Sequence, residues 1–221
     1  ATIVACDVQA ASANVFAGGM NTAVADGGDV RLTRIDGGSY IAEPLTVGGD
    51  KLLALAKMAA PATASHLAQR AKVREHNIRA LRKHVLKPSP VELSSLLGKS
   101  DDHPVWEEKA GRCYSCGSCN LVCPTCYCFD VHDEVDWSLQ KGERVRTWDG
   151  CLLTGFATVA GSHNFRKQRH ERYRHRYYRK GKYMPEKFGQ VACVGCGRCI
   201  TACTAKIANP VEIFNRLQEG R

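Results

Sequence analysis

The sequence predicts an α+β fold in two parts, a front region over residues 1–100 and a cysteine-rich domain over residues 101–221. Three observations support this division. Short β-type runs separated by Asp-Gly-Gly turns fill the start of the chain, apolar residues at helical spacing follow them, and a cysteine pattern occurs twice in the second half. Because the chain enters a strand-like run at Ala1 without a Met, we expect the front region to be the rear part of a larger domain.

The front region is predicted to contain a small antiparallel sheet followed by helices. The runs 29–35 and 39–43 are the expected strands, and the adjacent glycines of Asp26-Gly-Gly-Asp29 and Asp36-Gly-Gly-Ser39 suit tight turns that need positive φ. Helices are predicted over 50–58 and 61–86, with a short helical piece over 91–97 in a polar connection. We therefore expect the domain boundary near residue 100.

Two cysteine strings with identical spacing carry most of the chemical information in the chain. The second string repeats the first with an offset of 80 residues. Cys-x-x-Cys-x-x-Cys-x-x-x-Cys is typical of proteins with two 4Fe-4S clusters, in which the fourth cysteine of each string ligates the other cluster. The predicted ligand sets are Cys113, Cys116, Cys119 and Cys203 for the first cluster, and Cys193, Cys196, Cys199 and Cys123 for the second. Gly117 and Gly197 are predicted to let the backbone approach the clusters and direct N–H groups at their sulfurs.

Structural zinc and disulfides are the alternatives for these cysteines. A zinc site needs only four ligands, usually from two Cys-x-x-Cys pairs, so a third cysteine in each string favours clusters. Twelve cysteines without a signal-like opening favour a reducing compartment over a disulfide framework. The longest apolar stretch, 52–60, contains Lys57 and is too short for a membrane span. We therefore expect a cytoplasmic protein that does not span a membrane.

Four cysteines lie outside the strings and are enough for a third cluster. Free cysteines are also often buried as small hydrophobic residues, and the sequence leaves both roles open. The four candidate ligands are Cys6, Cys126, Cys128 and Cys151.

The insertion between the strings, residues 124–192, contains a strand and turn over 129–137, a helix-like stretch over 153–160 and a basic run over 163–187. The basic run has ten Lys or Arg against two Glu, and so contributes most of the net charge of +9. Its interleaved Tyr173, Tyr177 and Tyr178 would suit nucleic acid, with cations on phosphates and rings on bases. Cations also stabilise anionic clusters, and we favour packing over the clusters or a subunit contact.

Several segments of the second half resemble a known family. They are 116–129 (Cys-Gly-Ser-Cys-Asn-Leu-Val-Cys-Pro-Thr-Cys-Tyr-Cys-Phe), 148–151 (Trp-Asp-Gly-Cys), 163–166 (His-Asn-Phe-Arg) and 193–199. They resemble the beta subunit of cytoplasmic NADP-linked nickel-iron hydrogenases, the sulfhydrogenases. The electron-transfer subunit of anaerobic sulfite reductase is similar in the same segments. Thr204 departs from the family pattern, which has Pro after the last ligand.

The resemblance implies an electron-transfer subunit with no catalytic residues of its own. Such a subunit passes electrons between a flavin-containing NAD(P)H-reductase subunit and the small subunit of the hydrogenase, next to the large subunit. No Ser-His-Asp arrangement, carboxylate pair or nucleotide-binding fingerprint suggests bond-making chemistry on this chain. The alternatives are a relay in an anaerobic sulfite reductase and a nucleic-acid-binding protein with structural clusters.

Overall fold

The computed structural model describes residues 1–8, 10–24 and 27–220, which form two compact units, Ala1–Val85 and Leu86–Arg221. The division therefore precedes the predicted boundary near residue 100. Residues 86–100 pack within the second unit, where Tyr178 Oη donates to Leu97 O at 2.5 Å and Trp106 Nε1 donates to Ser100 O at 2.6 Å. Leu93 and Leu97 have no exposed surface, which explains why this segment belongs to the second core.

A three-stranded sheet with the order β1-β2-β3 forms the first unit, from strands Val4–Cys6, Val30–Arg34 and Tyr40–Pro44. The predicted hairpin is present, and its turn forms because the Asp36 carboxylate accepts from the N–H groups of Gly38 and Ser39. The prediction of an antiparallel sheet is wrong in one respect. Strands β2 and β3 pair antiparallel, but the preceding strand β1 pairs parallel with β2. Asp26 of the other predicted turn lies outside the described residues.

Two helices complete the first unit, α1 over Val47–Ala54 and α2 over Ala64–Ala80. Threonine side chains cap their N-termini, and α2 ends earlier than predicted because the buried Leu81 turns its carbonyl to the N–H of Gly18. Arg74 of α2 pairs with Asp7 at 3.0 Å and with Glu43 at 2.9 Å, which fixes the helix to the sheet. The expectation that this region continues a larger domain stays a prediction.

The second unit contains seven short helices and one hairpin among its described residues, 86–220. The helices are α3 Leu93–Gly98, α4 Val105–Gly111, α5 Ser118–Leu121, α6 Arg169–Tyr178, α7 Met184–Phe188, α8 Arg198–Ala202 and α9 Pro210–Glu219. Strands β4 Phe129–Val135 and β5 Gly142–Trp148 pair antiparallel, with Phe129 opposite Trp148. The predicted helix over 153–160 is wrong. The segment contains the 3₁₀ turn Gly155–Ala157 and the start of a second one, Ala160–Ser162, in which Gly161 has a φ of 76°.

An aromatic core fixes the orientation of α6 in this unit. Trp106 of α4 lies 6.5 Å from Tyr173 and 5.8 Å from Tyr177, measured between ring centroids, and Tyr177 meets Phe214 of α9 at 5.9 Å. Tyr173 Oη donates to Ile207 O at 2.6 Å. This face of α6 is therefore locked into the core, and Arg172 and Arg176 of the same helix reach the first cysteine string.

Among the described residues, the helices are too short or too polar to cross a bilayer.

Candidate metal centre

The two cysteine strings fold in the same way, as their sequence repeat predicts. Gly117 at φ 72° and Gly197 at φ 74° precede the short helices α5 and α8, which carry Cys119 and Cys199. Ser115 and Gly195, at equivalent positions, also have positive φ, at 53° and 62°. Both strings therefore have left-handed backbone at the same two positions. Glycine favours this conformation, which gives a second reason for Gly117 and Gly197 besides the predicted close approach of the backbone to the clusters.

A cavity joins the two strings at the first predicted ligand set. Its walls include Cys113, Cys116 and Cys119 of the first string together with Cys203 of the second. The N–H of Ser115 donates to Cys113 Sγ at 3.4 Å, and the N–H of Ile207 donates to Cys203 Sγ at 3.4 Å. Hydrogen bonds to the sulfur ligands are one of the ways in which a protein tunes an iron-sulfur cluster. The grouping matches the predicted first set, and ligation by these four thiols stays a prediction.

The thiols of the second predicted set are electrostatic neighbours. Burial raises the pKa of Cys193 to about 11 and also raises that of Cys199, which lies in the field of Cys123 and Cys196. A hydrogen bond from the Cys126 thiol lowers the pKa of Cys123, and burial acts in the opposite direction, as it does at Cys193 and Cys199. These thiols must lose their protons before they bind iron, so metal uptake here would release protons. The donor set suits an iron-sulfur cluster, because all four ligands are sulfur.

The two sets approach each other at the contacting helices α5 and α8. Burial raises the pKa of Cys119 to about 11, and the negative fields of Cys199 and Cys203 add to this effect. Cys119 belongs to the first predicted set and Cys199 to the second. The interior of the domain therefore brings a thiol of each set close to the other.

The four spare cysteines do not share one environment. Cys151 is buried, accepts from Asn120 Nδ2 at 3.3 Å and interacts with Cys128, while Cys126 lies beside Cys123. Cys6 is exposed at the end of β1 in the first unit. All twelve cysteines are described and none is in a disulfide, and over residues 1–8, 10–24 and 27–220 no three His, Cys, Asp or Glu side chains are grouped as ligands of a single metal ion. A third cluster stays a prediction.

Three cations of the basic run are buried beside the strings. Arg172, Arg176 and Lys180 expose 5%, 2% and 5% of their surface. Arg172 donates to the carbonyls of Leu152, Arg166 and Lys167, and it reaches Ser115 Oγ in the first string at 3.4 Å. The basic run therefore packs against the cysteine strings, as one of its two predicted roles requires.

Three of the four tyrosines of the basic run are not available to a ligand, whereas Tyr183 is 39% exposed. Tyr173, Tyr177 and Tyr178 expose 1%, 1% and 4% of their surface, and their hydroxyls are bonded inside the unit. Base stacking needs exposed rings. The pattern that suggested a nucleic-acid surface thus reflects the packing of α6.

Lys180 bonds to segments beside both strings. Its backbone carbonyl bonds to the residue before the second string, and its side chain bonds to Thr125 just after the first. It lies in a π-helical turn over Arg179–Tyr183, where the N–H of Met184 donates to Arg179 O. The next bond of this type would need an N–H on Pro185, which has none. The carbonyl of Lys180 instead accepts from Ala192 at 2.9 Å, one residue before Cys193. The Nζ of Lys180 donates to Thr125 Oγ1 at 2.8 Å, and this oxygen lies 3.4 Å from Cys123 Sγ.

Asn120 is a site residue that the sequence reasoning missed. Its side chain is 3% exposed, accepts from Arg176 Nε at 3.1 Å and donates to Cys151 Sγ at 3.3 Å. It directly follows Cys119, whereas the equivalent residue of the second string is Ile200. This departure from the repeat was the available signal, because a polar residue at a buried repeat position needs partners.

Residues 112–207, which include all eight string cysteines, match the family model of the 4Fe-4S dicluster domain. The chain contains a 4Fe-4S dicluster domain. The prediction of two 4Fe-4S clusters is thereby confirmed, and zinc and disulfides are set aside as the role of the strings.

A curated relative extends this result. The chain is 40% identical over 129 residues to the sulfhydrogenase 2 subunit beta of Pyrococcus furiosus. The match covers 58% of this chain and 37% of the relative, so the chain spans little more than a third of that protein. No solved structure matches the chain. The predicted resemblance to sulfhydrogenase beta subunits is confirmed.

Proposed function

We propose that this chain relays electrons through two 4Fe-4S clusters inside a cytoplasmic nickel-iron hydrogenase complex and catalyses no bond-making step itself. The observation that carries the proposal is the cavity in which Cys113, Cys116 and Cys119 of one string face Cys203 of the other. A crossed arrangement of this kind holds two clusters in one rigid domain, which a relay requires. The similarity to a sulfhydrogenase beta subunit supplies the kind of complex.

The protein residues control where electrons can enter and how the two sites communicate. Each cluster, when bound, supplies reversible one-electron transfer. Cys116 is exposed, so the first ligand set reaches the surface where the cofactor of a partner can approach. Cys119 and Cys199 are buried at the contact of α5 with α8, which keeps water away from the space between the two sets.

We propose the partners from the same similarity. A flavin-containing NAD(P)H-reductase subunit lies on one side of the relay, and the small subunit of the hydrogenase, next to its large subunit, lies on the other. The sequence contains no nucleotide-binding fingerprint, and we expect pyridine nucleotide to react with the flavin subunit.

The test is anaerobic purification of the complex through a tag on this chain, followed by metal analysis and spectroscopy. We expect nickel in the complex and cluster signals that NADPH reduces only when the flavin subunit is present. Sirohaem without nickel would instead support the sulfite reductase alternative. About eight iron and eight sulfide per chain indicate two clusters, and about twelve indicate that spare cysteines bind a third.

The nucleic-acid alternative has a separate test. A mobility shift with DNA or RNA that weakens with salt, together with no redox partner in the purified complex, would contradict the relay. The matched variant replaces Arg169 and Lys187 by Gln, because both carry charge in the basic run outside the buried set. Loss of the shift in that variant would assign nucleic-acid binding to the exposed part of the run.

A further inference from the structure

Arg176 is a buried cation without a carboxylate partner among the described residues. It exposes 2% of its surface, and its polar contacts are Nε to Asn120 Oδ1 at 3.1 Å and a terminal nitrogen to Cys119 O at 3.1 Å. Its guanidinium carbon lies 5.6 Å from the ring centroid of Tyr177. These neutral partners satisfy part of the guanidinium's hydrogen-bonding capacity but bring no compensating charge. A buried charge left in this state is costly.

The thiols that would carry negative charge near Arg176 belong to both predicted ligand sets. The groups whose ionised forms favour its charge are Cys119 of the first set, Cys199 and Cys123 of the second, and Tyr177 on its own helix. The helix holds Arg176 in this place, because Tyr173 and Tyr177 of the same helix are packed in the aromatic core. Arg176 therefore cannot turn to solvent without unpacking α6.

Lys180, one helical turn further on, serves as a comparison within the same helix. It exposes 5% of its surface, its Nζ is bonded to Thr125, and it interacts with Cys123 and Cys193 of the second set. Arg174 gives the opposite case, because its side chain is 25% exposed and pairs with Asp101 at 3.3 Å. The three cations thus differ in their surroundings. Arg176 lies near both ligand sets, Lys180 lies near the second, and Arg174 pairs with Asp101.

We propose that Arg176 is a positioning residue that acts as the shared counterion of both clusters. Its guanidinium balances charge that arrives with the clusters and raises the reduction potential of each one. Lys180 does the same for the second cluster alone. The inference rests on the two-cluster part of the proposed function and is independent of which complex the chain joins.

The proposal predicts opposite effects of one substitution in the metal-free and the cluster-loaded chain. Ordinary thiols are neutral at pH 7, so without clusters the guanidinium is buried with little opposing charge, and Arg176→Met should make the metal-free chain more resistant to urea. With clusters bound, the same substitution removes a nearby cation and should shift both midpoint potentials to more negative values. A merely structural role would weaken both forms.

The experiment is an anaerobic redox titration followed by electron paramagnetic resonance, on the full chain loaded with iron and sulfide. The variants are Arg176→Met, Arg176→Lys, Lys180→Met and, as the matched control, Arg174→Met. Signals are assigned by repeating the titration with Cys116→Ala, which removes the first cluster, or Cys196→Ala, which removes the second. Iron content is measured for every sample.

We expect Arg176→Met to shift both potentials negatively, Lys180→Met to shift only that of the second cluster, and Arg174→Met to shift neither. Arg176→Lys keeps the charge and should return both potentials most of the way to wild type. Unchanged potentials in a fully loaded Arg176→Met chain, or a shift of one cluster only, would overturn the proposal.

If Arg176→Met fails to take up iron, Arg176→Lys decides the matter. Full loading of the Lys variant, with potentials near wild type, assigns the effect to charge and supports the proposal. Failure of the Lys variant as well assigns it to the hydrogen bonds with Asn120 and Cys119 and refutes it. A wild-type chain that binds no iron or sulfide contradicts the proposed function itself, which is a different outcome from either of these.

Discussion

Crossed ligation can be tested by counting the iron that remains after pairs of cysteines are removed. In the proposed arrangement Cys116 and Cys203 bind the same cluster, whereas Cys196 and Cys203 bind different clusters. The cavity that contains Cys116 and Cys203 together is the structural basis of this expectation. If each string instead bound its own cluster, Cys196 and Cys203 would be ligands of the same one.

The expected iron contents follow from four iron atoms per cluster. The wild-type chain should hold about eight, and each single Cys→Ala variant about four. The double variant Cys116→Ala/Cys203→Ala should still hold about four, because its second cluster keeps all four thiols. The double variant Cys196→Ala/Cys203→Ala should hold almost none. Local ligation predicts the reverse order, so the two models differ by a whole cluster in each double variant.

The assay is anaerobic reconstitution followed by iron and acid-labile sulfide determination. Alanine is used because a serine oxygen can replace a thiolate as ligand. A Cys6→Ala chain controls for the loss of a cysteine outside both strings, because Cys6 lies in the first unit, and it should keep about eight irons whether or not a third cluster is present in the wild type. If Cys196→Ala/Cys203→Ala kept about four irons while Cys116→Ala/Cys203→Ala lost them, the crossed arrangement would be refuted. Twelve irons in the wild type would add a constant four to these values if the extra cluster uses only spare cysteines.

Three further predictions concern the scaffold of the cluster-loaded chain, each measured by urea unfolding. Gly117→Ala should cost about 1–2 kcal/mol because φ is 72° there, whereas Gly111→Ala, with open space around the added Cβ, should be neutral or stabilising by up to about 1 kcal/mol. Tyr178→Phe should cost about 0.5–1.5 kcal/mol, because it removes one of the hydrogen bonds to the Leu97 carbonyl, which keeps the N–H of Ser100 as a donor. Burial lowers the pKa of His175 from 6.5 to about 4, so the stability it contributes is complete above pH 6.5 and is lost as the pH falls toward 4. Between pH 7.5 and 5 the wild type should lose about 1–2 kcal/mol more than His175→Phe, and equal losses would show that the histidine is not buried in its neutral form.

The local conformation of the strings could be predicted because it depends on residues close in sequence. The spacing of three cysteines and a glycine between the second and third of them repeat after 80 positions, and the structure repeats with them. The hairpin at Asp36 is equally local, since the aspartate bonds the N–H groups of its own turn. The two long helices of the front region were predicted for the same reason, although not their ends.

The features that sequence reasoning missed depend on residues far apart in the chain. Nothing near β1 indicates that it pairs parallel with β2, and long-range contacts such as that of Leu97 with Tyr178 place residues 86–100 in the second unit. The position of Lys180 depends on Ala192, whose N–H bonds the carbonyl that Pro185 leaves free, and on Thr125, which accepts from its Nζ. Such pairings become visible only when the chain is folded.

The basic run illustrates how composition can suggest a surface that the fold does not present. It contributes most of the net charge of +9, yet Arg172, Arg176 and Lys180 lie inside the second unit, and three of its tyrosines, Tyr173, Tyr177 and Tyr178, are part of the core. A polyanion outside the protein would meet only the remaining exposed cations. Of the buried cations, Arg176 and Lys180 lie beside predicted sulfur ligands, which acquire negative charge when iron binds, whereas Arg172 bonds mainly to backbone carbonyls. We propose that the first two compensate the charge of the clusters, and the redox potentials of the Arg176 variants measure that compensation directly.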